Sequence, residues 1–187
     1  MDCLLRHLEK LTPLTPEAKQ SLSALFRPLS LARHNYFVRA NELTHNVAFV
    51  QEGILRAFIT SPDGVDYNKT FFAENDLMGI YHALLQNRPS YLSVQALTPC
   101  LLWVADYRQI EALFDRHPSI ERLARIQAER IFLIKEQREI DIVMLDAKTR
   151  YQKLQREFPN LEHFVSQYHI ASHLGITPTQ LSRIRAK

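Results

Sequence analysis

From Leu29 to about Asp106 the chain is a series of short runs rich in β-branched and aromatic residues, and beyond Asp106 such runs stop. This switch constrains the fold more than any other feature, because a strand repeats its faces every second residue and a helix every third or fourth. The runs are Tyr36–Val38, Val47–Val50, Ile54–Thr60, Tyr67–Phe72, Tyr91–Ala96 and Leu101–Val104. Glu52-Gly53 and Pro62-Asp63-Gly64 are turn signals, and the second joins two neighbouring runs, which predicts a hairpin. Short strands at regular turns predict an antiparallel barrel or sandwich. Within it, Gly79–Leu85 reads as helical. Ahead of it, Leu4–Leu11 and Pro16–Phe26 read as helices, with Thr15 as N-cap and Pro16 at a position where its missing N–H costs nothing.

After Asp106 the period lengthens. A short helix over Gln109–Arg116 leads to Pro118, and a long one runs from Ser119 to about Val143. One apolar stripe on it is Leu123, Ile126, Leu133, Ile140 and Met144; a second is Ile120, Ala124, Ile131 and Ile134. Such a helix, roughly 37 Å long at about 1.5 Å per residue, is apolar on more than one face. It is expected to pack on its own domain and on a second copy of itself, although burial within one monomer satisfies the same pattern. A further helix, Asp146–Phe158, ends before Pro159.

Whole-chain numbers narrow the function classes. Hydrophobic residues at 46% and charged residues at 23% fit a globular protein with a core. No stretch approaches the roughly 18 uninterrupted apolar residues of a spanning helix, and the N-terminus lacks the features of a signal peptide, so a cytoplasmic location and no membrane partner are expected. Two cysteines, Cys3 and Cys100, are too few for a four-cysteine zinc site or iron–sulfur cluster. With four glycines, no phosphate-binding loop and no nucleophile–base pairing, an enzyme is not expected, nor is a cofactor or metal. Histidines 34, 45 and 82 in the β-rich part, and His169 with His173 at i and i+4, are ligand types for haem or zinc. Solvated or hydrogen-bonded side chains are the plainer reading, with His169 and His173 on an exposed helix face. The net charge of +3 is small, but it is unevenly placed. From Asp146 to Lys187 seven basic residues face three acids, whereas the rest of the chain holds 16 basic and 17 acidic side chains. A basic end is the footprint of a nucleic-acid surface.

That end reads QYHIASHLGITPTQLSRIR, Gln167 to Arg185. Ser166 can cap a first helix that buries Ile170, Ala171 and Leu174, with Ala171 small where a second helix crosses it. Gly175 supplies a left-handed exit. Ile176 plugs the core, Thr177 caps the second helix and Pro178 fills its first turn. Leu181 and Ile184 then face inward, while Thr179, Gln180, Ser182 and Arg183 face out, as a recognition helix presents its side chains to the major groove. Arg183 is suited to a bidentate contact with guanine, and Gln180 to adenine or a phosphate.

The segment IASHLGITPTQLSRIR resembles the helix-turn-helix of the Crp/Fnr family, the regulators related to the cyclic-AMP receptor protein. Residues Val47 to Gly79 resemble that family's β-roll, with Gly53 and Gly79 at its glycine positions; Ser119–Val143 resembles its dimerisation helix and Leu145–Leu154 the start of its DNA-binding domain. The resemblance implies an α+β chain: an antiparallel, cyclic-nucleotide-binding-like β-roll with flanking helices over 1–116, a dimerisation helix over 117–144, and an all-helical helix-turn-helix domain over 145–187. It implies a homodimer on double-stranded DNA, with DNA-binding positions Thr177, Thr179, Gln180, Ser182, Arg183 and Arg185. Thr179 stands where many members carry a base-reading glutamate. With little room between Phe158 and Ser166 for a wing hairpin, the chain is similar to the shorter, wingless branch.

The family's effector site in the roll implies Gly79, Ile80, Tyr81, Arg88, Ser90 and Tyr91 as pocket positions, with an unidentified small effector as partner. Ile80 occupies the place of the ribose-gripping glutamate and Ser90 that of the phosphate-neutralising arginine; Arg88, two positions away, is the one nearby substitute. A buried cyclic phosphate without a cation is costly, so binding of cyclic AMP is not expected. The alternative reading is a ligand-sensing or protein-interaction module that has lost specific DNA reading.

Overall fold

The structure, a computed structural model, describes residues 1–186; Lys187, the last residue of the expected DNA-binding segment, lies outside them. Helices α1 (Asp2–Leu11) and α2 (Pro16–Ser23) precede strands β1 (Arg27–Leu31), β2 (Tyr36–Val38), β3 (Asn46–Glu52), β4 (Leu55–Thr60), β5 (Asp66–Phe72) and β6 (Leu77–Gly79). Then come α3 (Tyr81–Gln86), β7 (Ser93–Ala96), β8 (Cys100–Asp106) and α4 (Tyr107–Glu111). The C-terminal helices are α5 (Pro118–Met144), α6 (Ala147–Glu157), α7 (Leu161–Phe164), α8 (Gln167–Leu174) and α9 (Pro178–Arg185).

The strands form two four-stranded antiparallel sheets, ordered β1-β8-β3-β6 and β2-β7-β4-β5. Alternation of small and branched residues lets both sheets bury one face against the other, around Val38, Ala48, Val50, Leu55, Ala57, Val94, Ala96 and Leu102. The hairpin expected at Pro62-Asp63-Gly64 is β4–β5, closed by the Ser61 amide donating to the Val65 carbonyl at 2.9 Å. Gly53, with φ at +97°, turns β3 into β4, and a Cβ there would lie 2.5 Å from the Pro99 carbonyl oxygen.

The outer face of the first sheet carries Phe49 and Ala105 against Leu4, Leu8, Ala18, Leu22, Ile110, Ile120 and Leu123 of the helices. On the outside of the second sheet, Phe71 and Leu97 join Tyr151, Leu154, Leu161, Ile170, Ala171, Leu174 and Leu181. The C-terminal helices therefore share a core with the β-roll.

Two strands escape the sequence pattern. β1 contains Pro28 and buries only Leu31, which is tolerable because it is an edge strand. β6 has three residues, too few to show alternation. α4 begins two residues before the expected Gln109, because the Asp106 carboxylate caps it through the Arg108 amide at 2.9 Å, and turns replace it after Glu111. α2 likewise stops at Ser23, short of Phe26. The stripes of α5 split along its length. Ile120 and Leu123 are buried, whereas Leu133, Ile134, Ile140 and Met144 are 49–73% exposed. No helix among the described residues is long and apolar enough to cross a membrane.

Candidate nucleic-acid interface

The last two helices are built as their residues dictate. The Ser166 hydroxyl accepts from the His169 amide and caps α8, and Gly175 leaves it at φ +68°. Thr177 opens α9 with a reciprocal cap: its hydroxyl accepts from the Gln180 amide at 3.1 Å, and the Gln180 side-chain oxygen accepts from the Thr177 amide at 2.9 Å. Leu181 is fully buried beneath the crossing, beside Ala171.

The outward face of α9 is open. Thr177, Thr179, Gln180, Ser182 and Arg183 are all exposed, and Arg183 has no ion-pair or hydrogen-bond partner among the described residues. Two expected contact residues are already engaged. Gln180 is folded back into the cap, and Arg185 pairs with Glu162 at 3.5 Å. Glu162 also accepts from the Tyr151 hydroxyl at 2.5 Å; burial and then this carboxylate push the phenol up to about 12. Lys148, Gln152, Gln155 and Arg185 line a cleft beside that pair.

The expectation that His169 and His173 lie solvated on α8 is overturned. β5 is an edge strand whose free backbone groups need cover, and α8 supplies it. The Ser172 hydroxyl accepts from the Asn68 amide at 2.9 Å and donates to the Asp66 carbonyl at 2.8 Å. Asn68, almost fully buried, donates from Nδ2 to the His169 carbonyl at 3.1 Å. Arg56, 5% exposed, lies over the Phe58 ring and binds the Asp66 carboxylate at 2.9 Å, the Gln95 side-chain oxygen at 2.8 Å and the His169 ring at 3.2 Å. At the other end of α8, the guanidinium of Arg138 donates to the His173 carbonyl at 2.9 Å and Arg150 donates to the Leu174 carbonyl at 3.2 Å, as cations do at a helix C-terminus.

These surroundings hold both imidazoles neutral. Burial, and then the Arg56 charge, bring His169 down to about 4; burial and Arg138 bring His173 down to about 3. Each ring faces its own arginine, which disfavours a shared cation. No group of three or more His, Cys, Asp or Glu side chains among the described residues is placed to hold a metal.

Of the six effector-pocket positions, Gly79 and Tyr81 border one apolar cavity beside α5, and the other four do not line it. Ile80 lies in the roll interior, and Tyr81 turns outward toward α5. Gly79 is wedged between Val47 and Leu84, 3.0 and 3.1 Å from where its Cβ would be. Ser90 is buried with its hydroxyl donating to the Leu92 carbonyl at 2.6 Å, while Arg88 and Tyr91 are exposed, the latter stacked on His82 at 4.5 Å. Sequence reasoning missed Arg56, Asn68, Arg138 and Arg150; the one signal was an arginine inside the apolar run Ile54–Ile59.

Residues 28–117 match the cyclic nucleotide-binding domain family. No curated protein matches the chain by sequence. Among solved structures, it is similar to FixK2 from Bradyrhizobium japonicum, with 16% identity over 86% of this chain and 83% of that one, at a TM-score of 0.73. It is similar to CLP of Xanthomonas campestris, a c-di-GMP-responsive global regulator, at 14% identity over 89% and 88%, TM-score 0.70. The catabolite activator protein of Thermus thermophilus is 19% identical over 96% and 85%, TM-score 0.58. At such identities the likeness shows a shared fold: antiparallel sheets with flanking helices.

Proposed function

We propose that the chain is a sequence-specific, DNA-binding transcription regulator of the Crp/Fnr type, which reads a two-fold operator as a homodimer and does not respond to cyclic AMP. A regulator role, without enzymatic activity, agrees with the cyclic nucleotide-binding domain match and with regulators among the structures of like fold. The observation that carries the reading is the capped, outward-facing α9, which offers an Arg183 without a partner among the described residues, flanked by Thr179 and Ser182. In this reading 1–116 is the roll domain, 117–144 the dimerisation helix and 145–187 the DNA-binding unit. Pairing through the exposed Phe132, Leu133, Ile140, Val143 and Met144 of α5 sets the two copies of α9 about 34 Å apart, one turn of duplex. Ser90 stands in place of the family's cation with its hydroxyl closed on its own backbone, and Arg88, the nearby substitute, is exposed, which supports a reading without a cyclic phosphate in the roll.

Selection of bound duplexes from a random pool, read by gel shift, tests this. An enriched two-fold sequence is expected. Arg183→Ala should cost about 1–3 kcal/mol and relax preference at one base pair of each half-site. Uniform weakening across all sequences would make Arg183 a phosphate clamp, and no enriched sequence would favour a ligand-sensing or protein-interaction module.

A further inference from the structure

On the outer face of the first sheet, beneath α1, α2 and α5, the packing leaves an apolar cavity of about 80 Å³ that opens toward solvent. It lies outside the roll interior and shares neither Ile80 nor Ser90 with it. Leu8, Leu22, Leu123 and Ile131 supply walls, and Tyr81, Tyr107 and Gln127 are its polar groups. No lining residue carries a charge. The Gln127 side-chain oxygen is buried without a hydrogen-bond donor among the described residues. Neither tyrosine hydroxyl has a hydrogen-bond partner among the described residues. Burial pushes the Tyr81 phenol up to about 12, with Tyr107 close enough to add to the shift, so both rings stay neutral.

We propose that this cavity binds a small neutral alcohol, its alkyl part among the leucines and its hydroxyl donating to Gln127. An empty apolar space is destabilising, and so is a buried acceptor left unpaired; a short alkyl chain ending in a hydroxyl relieves both. Water satisfies the oxygen but gains little from apolar walls. An ion would lose its hydration with no counter-charge among the lining residues. The volume, about half of the roughly 150 Å³ that a benzene ring fills, suits a chain of about two to three carbons with its hydroxyl.

Titration of the protein with 1-propanol, followed by methyl NMR of Leu8, Leu22 and Ile131, is the test. Saturable shifts confined to these methyls are expected, with methoxyethane, of equal length but no donor, binding about 5- to 15-fold more weakly. Gln127→Leu should abolish that preference while leaving the ether bound, and Ala124→Leu, which fills the cavity wall, should abolish binding of both. Absence of saturable shifts overturns the proposal, as does equal affinity for alcohol and ether. Binding is read without DNA, so its failure leaves the reading of α9 untouched.

Discussion

Replacing His173 by phenylalanine isolates the energetics of the junction between α8 and the roll. The imidazole packs on the Phe71 ring at 5.1 Å beside Arg138, and its pKa falls from 6.5 to about 3. Because the folded state holds the ring neutral, protonation favours the unfolded chain. Its contribution is fully present above pH 6.5 and is lost as pH falls from there toward 3. Each pH unit inside that window removes about 1.4 kcal/mol, so moving from pH 8 to pH 5 costs about 2 kcal/mol through this residue. His169 titrates in the same direction, but its half-exposed ring adds only about 1 kcal/mol once solvent screening is allowed for. Phenylalanine keeps the aromatic contact and cannot take the proton. Urea unfolding followed by far-ultraviolet circular dichroism, at one protein concentration and at both pH values, measures the difference. The native chain should lose about 2 kcal/mol more than His173→Phe on acidification. Equal losses would mean that the ring is not held neutral at the junction, and the reasoning fails.

Two further perturbations probe the same architecture. Arg56→Met keeps the side-chain length but strands the Asp66 carboxylate, Gln95 and Asn68, and should destabilise the fold by about 3 kcal/mol. Amide exchange should quicken in α8 more than in β7; a loss below about 1 kcal/mol, or uniform exchange, would show that the arginine does not moor the helix. Gly53→Ala forces a Cβ to within 2.5 Å of the Pro99 carbonyl at a φ of +97°, for a cost of about 2–4 kcal/mol in urea unfolding. An unchanged midpoint would exclude strain at that turn.

Local chemistry was legible where the determinant lies within a few residues. The cap at Thr177, the left-handed exit at Gly175, the hairpin at Pro62–Gly64 and the buried Leu181 all follow from short-range rules. The roles of Gln180 and Arg185 were less so. Gln180 is outward by helical period yet closes a cap, and Arg185, four residues on from buried Leu181, pairs with Glu162, a choice made by neighbours rather than by spacing. β1 and β6 were hidden by a proline and by brevity.

The sequence by itself determined the elements other than β1, β6 and α7, their order and the outward set of α9, because period, caps and turn residues act within one or two turns of chain. Only the tertiary structure decided that α8 lies along the free edge of β5, burying two histidines against arginines from β4 and α5. It also decided that the expected effector positions divide, with Gly79 and Tyr81 bordering a cavity that the other four do not line. Both outcomes depend on groups that are distant in sequence, such as Asn68 and His169, meeting in a water-poor interior. There an unpaired polar atom is costly, and the identity of its partner is invisible until the chain has closed.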